Sequence, residues 1–185
     1  MDEDAELLLS YGRGGDVSSL AALVDRHSVW MQAFLRGLLP TAADVDDTFQ
    51  ETWIRVIRSA GGYRGGNVRA YLATVARSAA IDRLRREGRM TSLDVDDNGE
   101  ISAAEQIPDA SPSPSERFES KANAEDVRQA VRSLPEGPRQ VLLLRIEGEV
   151  PFKEIAATLG VPLGTALTWM HYATLKLREM LGERK

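Results

Sequence analysis

Asp46-Asp47-Thr48-Phe49-Gln50-Glu51-Thr52-Trp53-Ile54-Arg55-Val56-Ile57-Arg58 is the stretch that decides how this chain folds. Phe49, Trp53, Val56 and Ile57 recur at i, i+4, i+7 and i+8, the spacing of a helix that buries one face. The helix is predicted from Asp44 to Ser59 and ends at Gly61-Gly62. Asp47, Gln50, Glu51, Ile54, Arg55 and Arg58 are left on the remaining surface. Glu51 and Arg55 form an i, i+4 pair worth about 0.2–0.5 kcal/mol. Ile54 among these polar groups suits docking onto a partner's helices, and a solvated face with one stray Ile has the same pattern.

Working outward, Leu20, Leu23, Val24 and Val29 begin an earlier helix that breaks near Leu39-Pro40, and a third runs from about Asn67 to Arg86, stopping near Gly88. Residues 91–116 have no sustained periodicity and contain Ser111-Pro112-Ser113-Pro114-Ser115, a tether composition. Beyond it four short helices are predicted, at about 118–134, 138–147, 152–159 and 163–181. The expectation is an all-α fold of two small helical domains, residues 1–90 and 118–185, joined by a flexible acidic linker over 91–117.

Composition narrows the function classes. The 185 residues are 43% apolar and 28% charged, ordinary for a soluble protein. With no cysteine, disulfides and thiolate-bound zinc are excluded, and His27 and His171 are the only imidazoles. Apolar runs reach only about four residues and no signal peptide fits, so a cytoplasmic location is expected. The net charge of −5 hides a segregation: residues 1–90 balance, residues 91–122 carry a net −6, and residues 123–185 carry +1. Within the first part, Tyr63 to Arg89 holds seven Arg. A basic patch followed by an acidic strip fits a nucleic-acid face beside something that competes for it.

The third predicted helix sends Val68, Leu72, Val75 and Ala79 to the core. Ser78, Asp82, Arg85 and Arg89 recur on another face, with Arg77, Arg83 and Arg86 around them. The planar fork of Arg pairs two-pronged with phosphate or a guanine edge. Asp82, three and four residues before Arg85 and Arg86, is placed to orient them, and Tyr63 and Tyr71 are placed to stack on unpaired bases. In the last segment Ile155-Ala156, Leu159-Gly160-Val161 and Gly164-Thr165 spell a helix-turn-helix. Ala156 must be small where its helices cross, and Gly160 takes the left-handed turn. Ala166, Met170, Ala173 and Leu177 then face inward, while Thr165, Thr168, His171 and Tyr172 face a major groove.

Together these segments resemble the RNA polymerase sigma factors of the sigma-70 family, extracytoplasmic-function group. Asp46 to Val56 is similar to the family's "D-x-x-Q-E-T-F-x-x-V" helix, and Arg69 to Arg86 is similar to its "F-x-x-W-L-x-x-I-A-R-N-x-x-x-D-x-x-R-R". Leu134-Pro135, Val141 to Leu144 and Glu154 to Thr165 resemble its second DNA-binding domain. The resemblance implies a non-catalytic initiation factor that needs no cofactor or metal. Residues 1–90 would be sigma region 2 and residues 118–185 sigma region 4. Asp47, Gln50, Glu51, Ile54, Arg55 and Arg58 would dock on the clamp helices of the polymerase largest subunit, with region 4 near its flap. Arg64, Asn67, Tyr71, Arg77, Ser78, Asp82, Arg83, Arg85, Arg86 and Arg89 would engage the melted −10 element. Thr165, Thr168, Trp169, His171, Tyr172 and Lys176 would read the −35 element. An anti-sigma factor is a further implied partner.

The chain departs from the family pattern in places. Tyr71 stands for the usual Trp, and Ser78 for the Asn after "A-R". Leu167, Trp169 and Tyr172 stand where the recognition helix usually has Lys and two Arg, which implies upstream binding that is weak or unusually apolar. Pro151 and Pro162 replace capping Ser. Other readings are a helix-turn-helix regulator that acts without polymerase, and a calcium sensor through Asp94 to Glu105, which fits a twelve-residue EF-hand loop although Pro108 leaves little exiting helix. Asp46, Asp47 and Glu51 resemble half of a magnesium site in a diphosphate-using enzyme, but no facing carboxylate set completes it.

Overall fold

A computed structural model describes residues 3–88 and 124–182. Helices α1 (Glu3–Gly14), α2 (Val17–Leu38), α3 (Ala42–Ser59) and α4 (Val68–Arg86) make the first half, with a single 3₁₀ turn at Ala60–Gly62. Helices α5 (Ala124–Ser133), α6 (Glu136–Ile146), α7 (Phe152–Leu159) and α8 (Leu163–Gly182) make the second. No strand occurs among the described residues. The EF-hand-like segment 94–105, Arg89 and the linker lie outside the described residues. No helix of those described is long and apolar enough to cross a membrane.

Local chemistry sets the helix starts. Asp16 caps α2, its carboxylate accepting from Ser18 N at 3.0 Å and from the hydroxyls of Ser18 and Ser19 at 2.6 Å. Those bonds hold the Asp16 carboxyl down at about 2. Thr41 caps α3 reciprocally: its Oγ1 accepts from Asp44 N at 3.1 Å and donates to Asp44 Oδ2 at 2.7 Å. Asn67 caps α4 by accepting from Ala70 N at 3.0 Å. Pro151 precedes α7 with no side-chain cap, in keeping with the missing Ser. At the end of α7, Gly160 has φ 70°, and the amides of Gly160 and Val161 return to carbonyls at its C-terminus. The turn of the helix-turn-helix therefore has the geometry its Gly requires, and Ala156 is buried at the crossing.

Two elements depart from the sequence expectation. Helix α1 lies outside the helices the sequence pattern predicts, because its short apolar pattern of Ala5 and Leu8 is embedded in acidic residues. Gly12 lets it settle on the 3₁₀ turn, where a Cβ would stand 2.5 Å from Ala60 O. In α3 the buried face is Val45, Thr48, Thr52, Trp53 and Val56, while Ile57 is 41% exposed. The inward stripe is rotated toward the Thr residues, whose methyls pack and of which Thr52 donates to Thr48 O at 2.7 Å.

The two halves do not keep separate cores. One apolar cluster runs from Leu23, Phe34 and Leu72 through Leu143, Leu144 and Ile155, and a smaller one gathers Leu134, Leu142 and Ala173. Small residues permit the approach: Ala73, Ala76 and Ala80 line α4, and Gly37 of α2 forms a notch for Leu143 of α6. Polar links cross the same seam. Arg69 donates to Gly148 O at 3.2 Å and pairs with Glu149 at 2.8 Å. The Thr74 and Thr158 hydroxyls meet at 3.1 Å, and Arg132 donates to Arg36 O and Leu39 O at 3.2 and 3.4 Å.

Candidate nucleic-acid and partner interfaces

The outer surface of α3 carries the first candidate site. Asp47, Gln50, Ile54, Ile57 and Arg58 are exposed, and Glu51 and Arg55 are half-buried beside them. Ile54 and Ile57 give this ridge two apolar contacts where the sequence suggested one. Glu51 is held below the usual carboxylate range, chiefly by the hydrogen bond from Arg55 and then by the fields of Arg55, Arg58 and Arg86. The ridge thus presents ion-paired carboxylates and the exposed Arg58 beside apolar side chains, a mixed surface suited to docking on another helix.

Arg55 ties that ridge to α4. Its Nε donates to Glu51 Oε1 at 2.8 Å and its Nη1 to Asp82 Oδ2 at 2.7 Å. Asp82 therefore faces α3 and does not orient both Arg85 and Arg86. Of those two, only Arg86 has a bond to Asp82, Nε to the backbone O at 3.3 Å. Arg83 also turns toward α3, donating to Asp44 Oδ1 at 2.8 and 3.0 Å and to Asp47 at 3.2 Å, and it pairs with Glu87 at 2.7 Å. Its role is to neutralise the buried Asp44 carboxylate, which pure helix periodicity does not reveal. Arg85 and Arg86 project from the last turn into solvent, where cations also suit the helix dipole.

The loop before α4 is stiffened from within. Tyr63 is buried, donates its hydroxyl to Gly66 O at 2.8 Å and packs on Tyr71 at a centroid distance of 5.3 Å. It is a support for the loop, while Tyr71, half-exposed and bonded to Ser59 at 2.6 Å, retains an open side. Gly65 and Gly66 have φ of 101° and 116°, conformations closed to other residues, so this loop's path depends on them. Arg64 is exposed and bonds Gly61 O at 2.8 Å, and Ser78 is exposed on α4. Arg77 takes another direction: its Nε donates to Gln140 Oε1 of α6 at 2.6 Å. Burial there, followed by the neighbouring Arg85, makes its cation less favourable, with Glu136 opposing. In this closed arrangement Arg77 is not on the solvent face with Arg85.

On α8, Leu163, Gly164, Leu167 and Thr168 are exposed, and Thr165, His171 and Tyr172 are half-exposed. Trp169 points to the opposite side, its ring against Gly137, where a Cβ would stand 2.7 Å from the indole. That placement revises the expectation for Trp169: the large indole is accommodated by the Gly of α6 and supports the helix-turn-helix from behind. Lys176 is paired with Glu179 at 2.8 Å. No cluster of three or more metal-ligating side chains occurs among the described residues.

An exposed arginine pair at the end of α4, an α3 ridge braced to that helix through Arg55 and Asp82, and a turn-linked helix pair define an all-helical protein with the outline of a DNA-binding class. Comparison with known proteins narrows the class. Residues 23–90 match the family model for sigma-70 region 2, and residues 124–177 match that for sigma-70 region 4. The chain is 31% identical to the RNA polymerase sigma factor CarQ of Myxococcus xanthus over 172 residues, covering 92% of this chain and 94% of that protein. It is 32% identical to the ECF RNA polymerase sigma factor SigE of Mycolicibacterium smegmatis, covering 87% of this chain and 61% of that longer protein. The chain belongs to the sigma-70 family of RNA polymerase sigma factors, in the extracytoplasmic-function group. Its fold is shared with CnrH, solved in complex with the cytosolic domain of CnrY, at a TM-score of 0.71 and 22% identity over 100% of both chains.

Proposed function

We infer that this chain acts as a transcription-initiation subunit, binding core RNA polymerase and directing promoter recognition and melting. It supplies no chemistry of its own and works in the cytoplasm, where polymerase is. The α3 ridge of Asp47, Gln50, Glu51, Ile54 and Arg58 docks on polymerase. Arg64, Asn67, Tyr71, Ser78, Arg85 and Arg86 serve the opened −10 element, and Thr165, Thr168, His171 and Tyr172 serve the −35 element.

The observation that best supports this reading is the Glu51–Arg55–Asp82 strut, because it fixes the partner ridge relative to the Arg-rich end of α4. A factor that opens DNA must transmit the position of its polymerase anchor to the helix that holds the strand. Unpaired bases are captured by stacking, about 1–3 kcal/mol each, which offsets the few kcal/mol of unstacking. Tyr71, packed on Tyr63 of the loop that carries the exposed Arg64, supplies a ring for that purpose. An anti-sigma partner is included in the proposal, supported by the related fold of a sigma factor RpoE solved with the anti-sigma factor NepR from Bartonella quintana at a TM-score of 0.62.

The test is in vitro transcription with purified core polymerase over a genomic fragment library, with start sites sequenced. Defined starts that depend on this chain, sharing two spaced elements, are the expected result. Binding to DNA fragments without core polymerase, together with no start sites, would refute the reading in favour of a regulator that acts alone.

A further inference from the structure

We propose that α8 reads its upstream promoter element through thymine methyl groups, with Leu167 as the discriminating side chain and Leu163 beside it. The proposal rests on the reading of the chain as a promoter-recognising initiation factor, and it names the base chemistry that this site selects.

Four observations converge on it. Gly160 sets the turn that presents the N-terminal face of α8 outward, the face by which the second helix of such a motif meets base edges. On that face Leu163 and Leu167 are each 46% exposed, one helical turn apart. From Val161 to Leu175 there is no Lys or Arg, so the bidentate contact that selects guanine has no donor. The Thr168 hydroxyl donates to Gly164 O at 3.0 Å within its own helix, which leaves it able to accept from a base but not to donate.

The major groove offers one apolar feature to such a surface, the C5-methyl of thymine. Leucine side chains left in water on a folded monomer gain by covering it, and guanine, whose N7 and O6 need donors, would be left unsatisfied against them. The exposed Lys153 of α7 lies on the motif's first helix, the one that crosses the backbone, and can serve a phosphate without adding base preference. His171 stands one helical turn beyond Leu167 on the same side of α8, and its single ring N–H cannot make the two-pronged guanine contact. With no cation in the base-reading turns, the preference conferred by this element should depend little on salt, unlike a phosphate-driven one.

The experiment uses the full chain assembled with core polymerase, on promoter templates with a randomised upstream element. Thymines should be enriched at positions facing Leu167. Replacing those thymines with deoxyuridine removes only the methyl, and should lower upstream-dependent transcription about three- to fivefold per base, the factor carried by one buried methyl-sized group. Leu167→Ala, at an exposed position, should make the deoxyuridine change silent, and Leu167→Arg should shift selection toward guanine and introduce salt dependence. Guanine enrichment with the unaltered chain, or indifference to deoxyuridine, overturns the proposal while leaving the initiation reading intact. So does Leu167→Ala weakening capture of a protein partner while leaving deoxyuridine sensitivity unchanged. Absence of any transcript from any template overturns both.

Discussion

Gly37 offers a way to loosen the packing between the two halves at one point of their shared core. A Cβ there would stand 2.5 Å from both Cδ atoms of Leu143 and 3.1 Å from its Cγ, so rotating the terminal methyls does not clear the space. Leu143 is itself buried and has little room to retreat. Gly37→Leu should therefore overpack the seam by about 1–3 kcal/mol. The same change improves the helix propensity of α2 by nearly 1 kcal/mol, but that gain is present whether the halves are packed or apart. Only the seam term biases the balance between them, moving it about 5- to 150-fold toward the separated form.

The chain has no cysteine, so an Ala21→Cys, Ala157→Cys pair at exposed positions on α2 and α7 accepts two dyes cleanly. Energy transfer between them should fall in Gly37→Leu while the circular dichroism of the helices is retained. Release of Arg77 from Gln140 should also tighten binding of a single-stranded −10 oligonucleotide, and Arg77→Gln in the same background should cancel that gain. If the dye separation is unchanged and the melting temperature simply drops, the halves form one cooperative unit and the reasoning fails.

Arg85→Glu with Arg86→Glu should impair strand opening at least tenfold, read by permanganate footprinting, while core polymerase is bound normally; equal loss of both would remove the division of labour between α3 and α4. Glu51→Arg should instead lower affinity for core polymerase, measured by fluorescence anisotropy of the labelled chain, since it removes the acceptor of Arg55 and sets a further cation beside Arg55 and Arg58. His27 is buried, accepts from Trp30 Nε1 at 2.8 Å and faces Asp4 at 3.1 Å; burial, partly opposed by Asp4 and reinforced by Arg69 and Arg26, depresses its pKa below the usual 6.5. The unfolded chain then binds the proton more readily, so this contribution to stability is present above about pH 6.5 and is lost as pH falls below it. His27→Gln, which keeps an acceptor for Trp30, should flatten the melting-temperature decline between about pH 7 and 5. Asp16 behaves as a depressed acid: its contribution is present above about pH 4 and is lost as pH falls through about 2, and Asp16→Asn should remove that acid-side slope.

Most helix boundaries were legible because punctuation is local. Pro40, the Gly61-Gly62 pair, Asn67, Gly88, Pro135 and Gly160 act through backbone geometry that needs no tertiary knowledge. The ridge was legible in outline for the same reason, since period alone places Asp47, Glu51 and Ile54 together. What the sequence could not show is which polar groups choose each other across helices. Asp82 lies within reach of Arg85 and Arg86 along its own helix, yet the packing of α3 on α4 gives it to Arg55. Arg83 reads as one more phosphate ligand until the burial of Asp44 is known. Ile57 fits the core period, but Thr48 and Thr52 fill that space at the α3 surface that packs inward. The seam between the halves joins residues roughly 60 to 100 positions apart, such as Arg77 with Gln140 and Arg132 with Arg36, and no local pattern encodes it.

The two DNA-facing elements are built on opposite chemistry, and the contrast has a physical rationale. Holding an opened strand is a matter of charge and stacking, because unpaired bases differ little in their π-faces and phosphate is everywhere. The end of α4, where Arg85 and Arg86 are exposed, suits that sequence-tolerant grip, with Tyr71 about four turns back at the start of the same helix, and the strength of such a grip falls as salt rises. Choosing where to grip requires discrimination, and non-specific attraction works against it by holding the factor at every site. A recognition helix without cations in its first turns adds almost nothing to non-specific affinity, so whatever affinity Leu163 and Leu167 contribute is nearly all preference. Arg77 lies outside both elements as they stand, because the seam between the halves bonds it to Gln140 of α6.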